Sequence, residues 1–188
     1  MRPEMSQLTR DLGPVILPLK PREQRAAIDA AKVRVAKELS DHYRILGAEL
    51  RIDKPSDPAK APPRMVGVLI VDYGNRRNLE VLVDGSGKVV RVIDLRGAQP
   101  SYTREEIDEA RGIAEQDSRV DRFAKMKGSF VSEFGPQRTA DNPRRIGLRY
   151  ARVDKGRVSR VLAHAIVDLS ARRLVHFEET PAEAGSDR

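Results

Sequence analysis

The sequence predicts an α+β protein made of two tandem units, each a helix packed on a four-stranded antiparallel sheet. Three observations carry that reading. Helical periodicity appears twice, near residue 22 and again near residue 104, and each time it gives way to short strand-like segments joined by turns. The two halves also correspond segment by segment: Arg64–Leu69 with Arg145–Tyr150, Val81–Asp84 with Ala165–Asp168, and Val89–Val92 with Leu174–Phe177. Finally, 188 residues accommodate two domains of roughly 80–90 residues each. A single sheet carrying two helices is the alternative architecture. The predicted boundaries are an irregular lead-in over 1–20, a first αββββ domain over 21–97, a second over 98–180, and a polar tail over 181–188.

The first element is a helix opened by Pro21, whose missing N–H is not needed in a first turn. From Arg22 to Leu39, Ile28, Ala31, Val35 and Leu39 recur at helical spacing and predict one buried stripe. Tyr43–Ile52 reads as a strand, and the proline-rich stretch Lys54–Pro63 as a loop. Met65–Tyr73 is nearly continuous in apolar residues, as a central strand would be. Gly74-Asn75-Arg76-Arg77 turns the chain into the alternating strand Leu79–Val83, and Asp84-Gly85-Ser86-Gly87 turns it into Val89–Leu95. Thr103-Arg104-Glu105-Glu106 has the form of a capping box. Ile107, Ala110, Ile113 and Ala114 give the second helical stripe, and Val120, Phe123 and Met126 a further helical segment. Strands follow at Ser129–Phe134, Ile146–Val153, Val158–Val167 and Arg173–Phe177, with a loop over Gly135–Pro143.

Composition narrows the chemistry. Apolar residues make up 39% and charged residues 34%, and with only four Tyr, four Phe and no Trp the cores must be filled by Val, Ile, Leu and Ala. No run approaches 18 apolar residues, so no membrane-spanning helix is expected, and the N-terminal run Val15–Leu19, broken by Pro14 and Pro18, does not read as a secretory signal. The absence of cysteine removes disulfides, thiolate metal ligands and a cysteine nucleophile, and fits a cytoplasmic location. The net charge of +7 is concentrated: between Arg138 and Arg160, eight basic residues face only Asp141 and Asp154. Arg145, Arg149, Lys155, Arg157 and Arg160 are therefore the candidate partner-binding patch. An acidic protein surface is the expected match, with a plain solvated face as the bland alternative. Nucleic acid is disfavoured because Tyr150 is the only aromatic of the segment and offers no stacking platform.

Val83-Asp84-Gly85-Ser86-Gly87-Lys88-Val89-Val90, followed by Gly97-Ala98-Gln99-Pro100-Ser101-Tyr102-Thr103-Arg104-Glu105-Glu106, resembles the junction between the two small N-terminal domains of copper amine oxidases. Asp117-Ser118-Arg119-Val120 resembles the Asp-x-Arg-Val found later in the same helix of that family, and Arg145–Glu178 resembles the second domain's closing strands. The resemblance covers about Val15 to Glu179 and implies two cystatin-like domains. In that family, catalysis belongs to a larger C-terminal domain with a quinone-forming Tyr in Asn-Tyr-(Asp/Glu) and copper held by His-x-His plus a distant His. Here no Tyr follows Asn, and His42, His164 and His176 form no His-x-His, so no catalytic, cofactor or metal residue carries over.

The remaining candidates are modest. His164 and His176 fall on neighbouring predicted strands, but no carboxylate spacing completes a ligand set and both read as structural. The pairs Glu105/Glu106 and Glu178/Glu179 read as helix-start and strand-end charges rather than an acid–base pair. Gly85-Ser86-Gly87-Lys88 lacks the glycine spacing and following helix of a phosphate loop and reads as a hairpin turn. The expectation is a non-catalytic interaction or accessory protein, without a cofactor, that binds a protein partner or itself. A separately encoded oxidase chain is one such partner. Two alternatives remain: a small-ligand binder or enzyme using a concave sheet face, and nucleic-acid binding through 138–160.

Overall fold

A computed structural model describes residues 18–52, 64–134 and 143–181. The expected lead-in, the Lys54–Pro63 and Gly135–Pro143 loops and the polar tail lie almost entirely outside the described residues. The elements run α1 (Pro21–Val35), β1 (Tyr43–Ile52), β2 (Arg64–Asp72), β3 (Arg77–Asp84), β4 (Val89–Asp94), α2 (Arg104–Ala114), α3 (Ser118–Ala124), β5 (Ser129–Phe134), β6 (Arg145–Asp154), β7 (Arg157–Asp168) and β8 (Arg173–Glu179). The strands form two four-stranded antiparallel sheets, ordered β1-β2-β3-β4 and β5-β6-β7-β8, in an α+β arrangement of two helix-on-sheet repeats. Among the described residues no helix is long and apolar enough to cross a membrane.

Two compact units divide the chain. The first holds α1 through Glu38, Gly47–Leu69 and Glu80–Ile93; the second holds Leu39–Leu46, Ile70–Leu79 and the chain from Asp94.

In the first unit, α1 buries Ala27, Ala31 and Val35, while Val66, Val68, Val81 and Val83 of β2 and β3 are buried with them. The buried stripe thus begins at Ala27, with Ile28 only half-buried, and the helix stops at Val35, short of the expected Leu39. Past Val35 the Glu38 N–H donates to the Val35 carbonyl (2.8 Å), a tighter turn in place of the four-residue helical bond. In the second unit the Ser40 N–H donates to the Asp72 carboxylate (3.2 Å). Asp72 also accepts from the Ser40 hydroxyl, the Asn75 N–H (3.2 Å) and the Asn75 amide (2.7 Å). Burial alone would raise its pKa, but these donors outweigh burial and hold the carboxyl below its ordinary range.

The second unit has the larger core. Ile146, Leu148 and Tyr150 of β6 and Ala163, Ala165 and Val167 of β7 meet Ala110 and Ala114 of α2 and Val120 and Phe123 of α3, and each fully buried Val, Leu or Ile contributes about 1.5–3 kcal/mol. The capping box forms as expected: Thr103 Oγ1 accepts from the Glu106 N–H (3.2 Å) and Glu106 Oε2 accepts from the Thr103 N–H (2.9 Å). Asp117-Ser118-Arg119-Val120 does not continue that helix but opens α3. Asp117 caps it by accepting from the Arg119 N–H (2.9 Å), and Val120 enters the core. Because α3 ends at Ala124, Met126 lies beyond it in a tight turn and is 49% exposed, outside the helical segment expected to include it.

Along β6, Arg145, Gly147 and Arg149 occupy the face opposite the helices. Gly147 is required there, because a Cβ would run into the Phe134 ring lying over it. The β6–β7 hairpin closes through Lys155 and Gly156, both at positive φ (48° and 77°), which is the backbone that a two-residue turn of matching twist demands.

Candidate functional site

A buried cluster of charge is the first place to look for chemistry, and the second unit contains one. Arg144, just before β6, is 1% exposed, and Glu106, in the first turn of α2, is 0% exposed. All five guanidinium N–H groups find acceptors. Nε and Nη2 grip the two oxygens of Glu106 (2.9 and 2.8 Å), Nη2 also reaches the Ser101 carbonyl (3.0 Å), and Nη1 reaches the Pro100 carbonyl (2.6 Å) and Gln99 Oε1 (3.2 Å). The Tyr102 ring packs against the guanidinium at 4.4 Å and the Tyr73 hydroxyl donates to Glu106 Oε1 at 2.7 Å. Burial would raise the Glu106 pKa, but the Arg144 hydrogen bonds and charge outweigh it and hold the carboxyl below its ordinary value of 4.5. Burial and the Glu106 hydrogen bond push the Tyr73 phenol well up. The cluster has neither an open face nor an unused donor, so it acts as scaffold. The Gln99-Pro100-Ser101 stretch and the Thr103…Glu106 pair are its framework. Sequence reasoning read Glu106 only as a capping residue and Arg144 only as part of a charge count.

The candidate basic residues separate into two groups. Arg145 is half-buried, with its Nε 3.5 Å from Asp168 Oδ2, and Arg149 lies beside the Phe134 ring (5.9 Å) and opposite His164. Lys155, Arg157 and Arg160 sit at the β6–β7 hairpin end and are exposed. Arg152, counted in the charge of the segment but not singled out by sequence, joins them: it is the direct cross-strand partner of Arg160. Among the described residues none of Arg149, Arg152, Lys155, Arg157 and Arg160 has an ion-pair partner, although surface cations elsewhere in the chain, such as Arg119 with Asp117 and Lys125 with Asp121, do. Tyr150, the one aromatic of the segment, is fully buried and unavailable for stacking on a base.

The other candidates have structural surroundings. His42 stacks on Tyr73 (4.6 Å between rings), and His164 meets Phe134 edge-on (5.5 Å). His176 faces Ile166 across the β7–β8 ladder while His164 faces Glu178, so the two imidazoles share a face but are not opposed. Among the described residues no group of three or more His, Asp or Glu is placed to hold a metal ion. In the Asp84–Lys88 segment the Asp84 carboxylate accepts from the Ser86 and Lys88 N–H groups (2.9 and 3.0 Å), so the loop is a self-satisfied hairpin turn. On the helix-free face of the second sheet, a groove of about 420 Å³ lined by Arg145, Ile166, Val175 and His176 lies open to solvent.

No family model and no curated protein sequence matches the chain. Among solved structures, the fold is similar to a copper-containing benzylamine oxidase from Hansenula polymorpha, with a TM-score of 0.60, 13% identity and 87% of this chain covered. The match occupies 30% of the oxidase, so the chain corresponds to under a third of that enzyme's length. The likeness agrees with the resemblance to the small domains of copper amine oxidases, and at this identity it is a likeness of fold. A Bacillus megaterium YpeB C-terminal domain aligns over 86% of this chain and 63% of its own at 8% identity, with a TM-score of 0.27 that supports no argument.

Glu106→Gln leaves a buried guanidinium without its counter-charge and lowers unfolding free energy by about 3 kcal/mol in urea titrations, whereas Glu106→Leu combined with Arg144→Met loses less than the sum of the single changes. Because the folded pKa of Glu106 is depressed, its contribution is complete above its unfolded value of 4.5 and is lost as pH falls through the folded pKa. Glu106→Gln therefore flattens the acid limb of the stability profile. At the hairpin, Arg160→Glu replaces a like-charge cross-strand pair with an attractive one and stabilises the fold by less than about 1 kcal/mol in the same assay.

Proposed function

We propose that this chain is a non-catalytic interaction or accessory module, acting through protein contacts of its second unit. One observation carries the reading. The deeply buried ionic group of that unit is internally saturated, whereas cations with no ion-pair partner among the described residues gather on an exposed sheet end where cross-strand repulsion opposes folding. A solvated surface gains nothing from placing Arg152 against Arg160, and an acidic partner removes the repulsion. The fold likeness to a fraction of a copper-containing oxidase favours a partner that carries the chemistry, such as a separately encoded catalytic chain. Small-ligand binding is the second reading, and the open groove lined by Arg145, Ile166, Val175 and His176 is its one point of support.

Affinity purification of the tagged chain from its own host at moderate salt, with in-cell cross-linking, tests the proposal. The expected result is a stoichiometric protein partner whose cross-links fall on the second unit. Recovery of the chain alone, as a monomer, overturns it.

A further inference from the structure

Sheet strands leave their last residues least covered, and the end of the second sheet that carries the hairpin is unusual in what it exposes. Seven large hydrophobic side chains are exposed among the described residues, and three of them, Met126, Phe130 and Val158, belong to this end at 49%, 49% and 57%. The ladder places them among the cations. Ser129, Arg152 and Arg160 form one row across β5, β6 and β7; Phe130 pairs with Ala151; and Val158 pairs with Val153, whose N–H donates to Gly128 in the turn that carries Met126 and Lys127. Between Arg149 and Arg160, Asp154 is the one carboxylate.

We propose that this sheet end binds an extended acidic segment of a partner protein in which carboxylates alternate with apolar side chains. The proposal rests on the interaction reading above and specifies its site and chemistry. Three features select that occupant. β5 is an edge strand of six residues with Glu133 as its one charge; the Ser129 N–H is taken by the Met126 carbonyl (3.0 Å), so an added strand pairs with the outer main-chain groups from the Ser129 carbonyl onward. In an added strand, alternate side chains share a face. Those in the Ser129 row come within reach of the Arg152 guanidinium across a short serine, and their neighbours lie along Phe130. Three of the cations, Arg152, Arg157 and Arg160, are arginines, whose planar fork matches a carboxylate in two-bonded fashion.

Other anionic surfaces fit less well. Single-stranded nucleic acid needs several stacking rings, and Phe130 is the one aromatic side chain exposed here. An anionic membrane surface needs an apolar tip, whereas the hairpin tip is Asp154-Lys155-Gly156-Arg157 and the chain has no Trp.

The test uses the full chain and a fluorescein-labelled peptide alternating Glu and Leu, read by fluorescence anisotropy at physiological salt. Saturable binding is expected, weakened about tenfold by Arg152→Glu combined with Arg160→Glu and several-fold by Phe130→Ser. Arg91→Glu, on β4, is expected to leave affinity within about twofold and so separates a local site from net charge. The matching Gln/Leu peptide is expected not to bind. Equal binding of the Gln/Leu peptide, indifference to the double reversal, or binding of oligothymidylate or phosphatidylserine vesicles in place of the acidic peptide each overturns the proposal. The interaction reading fails separately. If the purified partner is still recovered by the doubly reversed chain, this site is wrong and the module reading stands; if no partner is recovered by either chain, the module reading is wrong.

Discussion

A guanidinium sealed from water must find a counter-charge and an acceptor for each N–H, or the unit containing it is destabilised by several kcal/mol. Arg144 meets that demand by drawing four separate pieces of chain together: the Gln99–Ser101 connection, the first turn of α2 through Glu106, the turn just after β2 through the Tyr73 hydroxyl that shares Glu106, and its own position just before β6. The Tyr102 hydroxyl adds a bond to the Arg145 carbonyl, and Leu169 N–H donates to the Arg144 carbonyl (2.9 Å). Where α2 starts and where β6 enters its sheet both depend on this one ion pair. The hydrophobic core of β6, β7, α2 and α3 then packs against elements already held in place.

That arrangement gives the residues carrying the resemblance to copper amine oxidase domains structural roles in this chain. Gln99, Pro100 and Ser101 supply acceptors, Thr103 and Glu106 cap a helix, and Asp117 and Arg119 start the next one. They describe a way of folding, and the likeness in fold to part of a much longer oxidase is of the same kind. The proposed interaction surface lies in the opposite kind of place, where the described residues leave charge uncompensated. The hairpin cations are exposed, without carboxylate partners among the described residues, and in one row opposed across the ladder.

What was legible in the sequence was local. Strands with clean alternation, the Thr103-x-x-Glu106 box and the Asp154-Lys155-Gly156 turn were readable because each is decided within a few residues. The Arg144–Glu106 pair was not, since its members are 38 residues apart and nothing in either neighbourhood marks the other. The apolar spacing of α1 continues to Leu39, but the helix closes at Val35, where the Glu38 N–H turns back to the Val35 carbonyl, and spacing alone does not reveal such a turn. The opposition of Arg152 and Arg160 depends on register shifts at Tyr150/Ala151 and Arg152/Val153, which alternation cannot predict. Met126 continues the helical spacing of Val120 and Phe123, yet Ser129 donates its hydroxyl to the Ala124 carbonyl and the chain turns before reaching it.

The hairpin end of the second sheet is the proposed binding surface. Titrating the isotopically labelled chain with the Glu/Leu peptide and following backbone amide shifts by nuclear magnetic resonance tests this most directly. Perturbations confined to Met126–Phe130 and Arg152–Arg160 are the predicted result. Perturbations centred on Arg145 and His176, or none at all, contradict it.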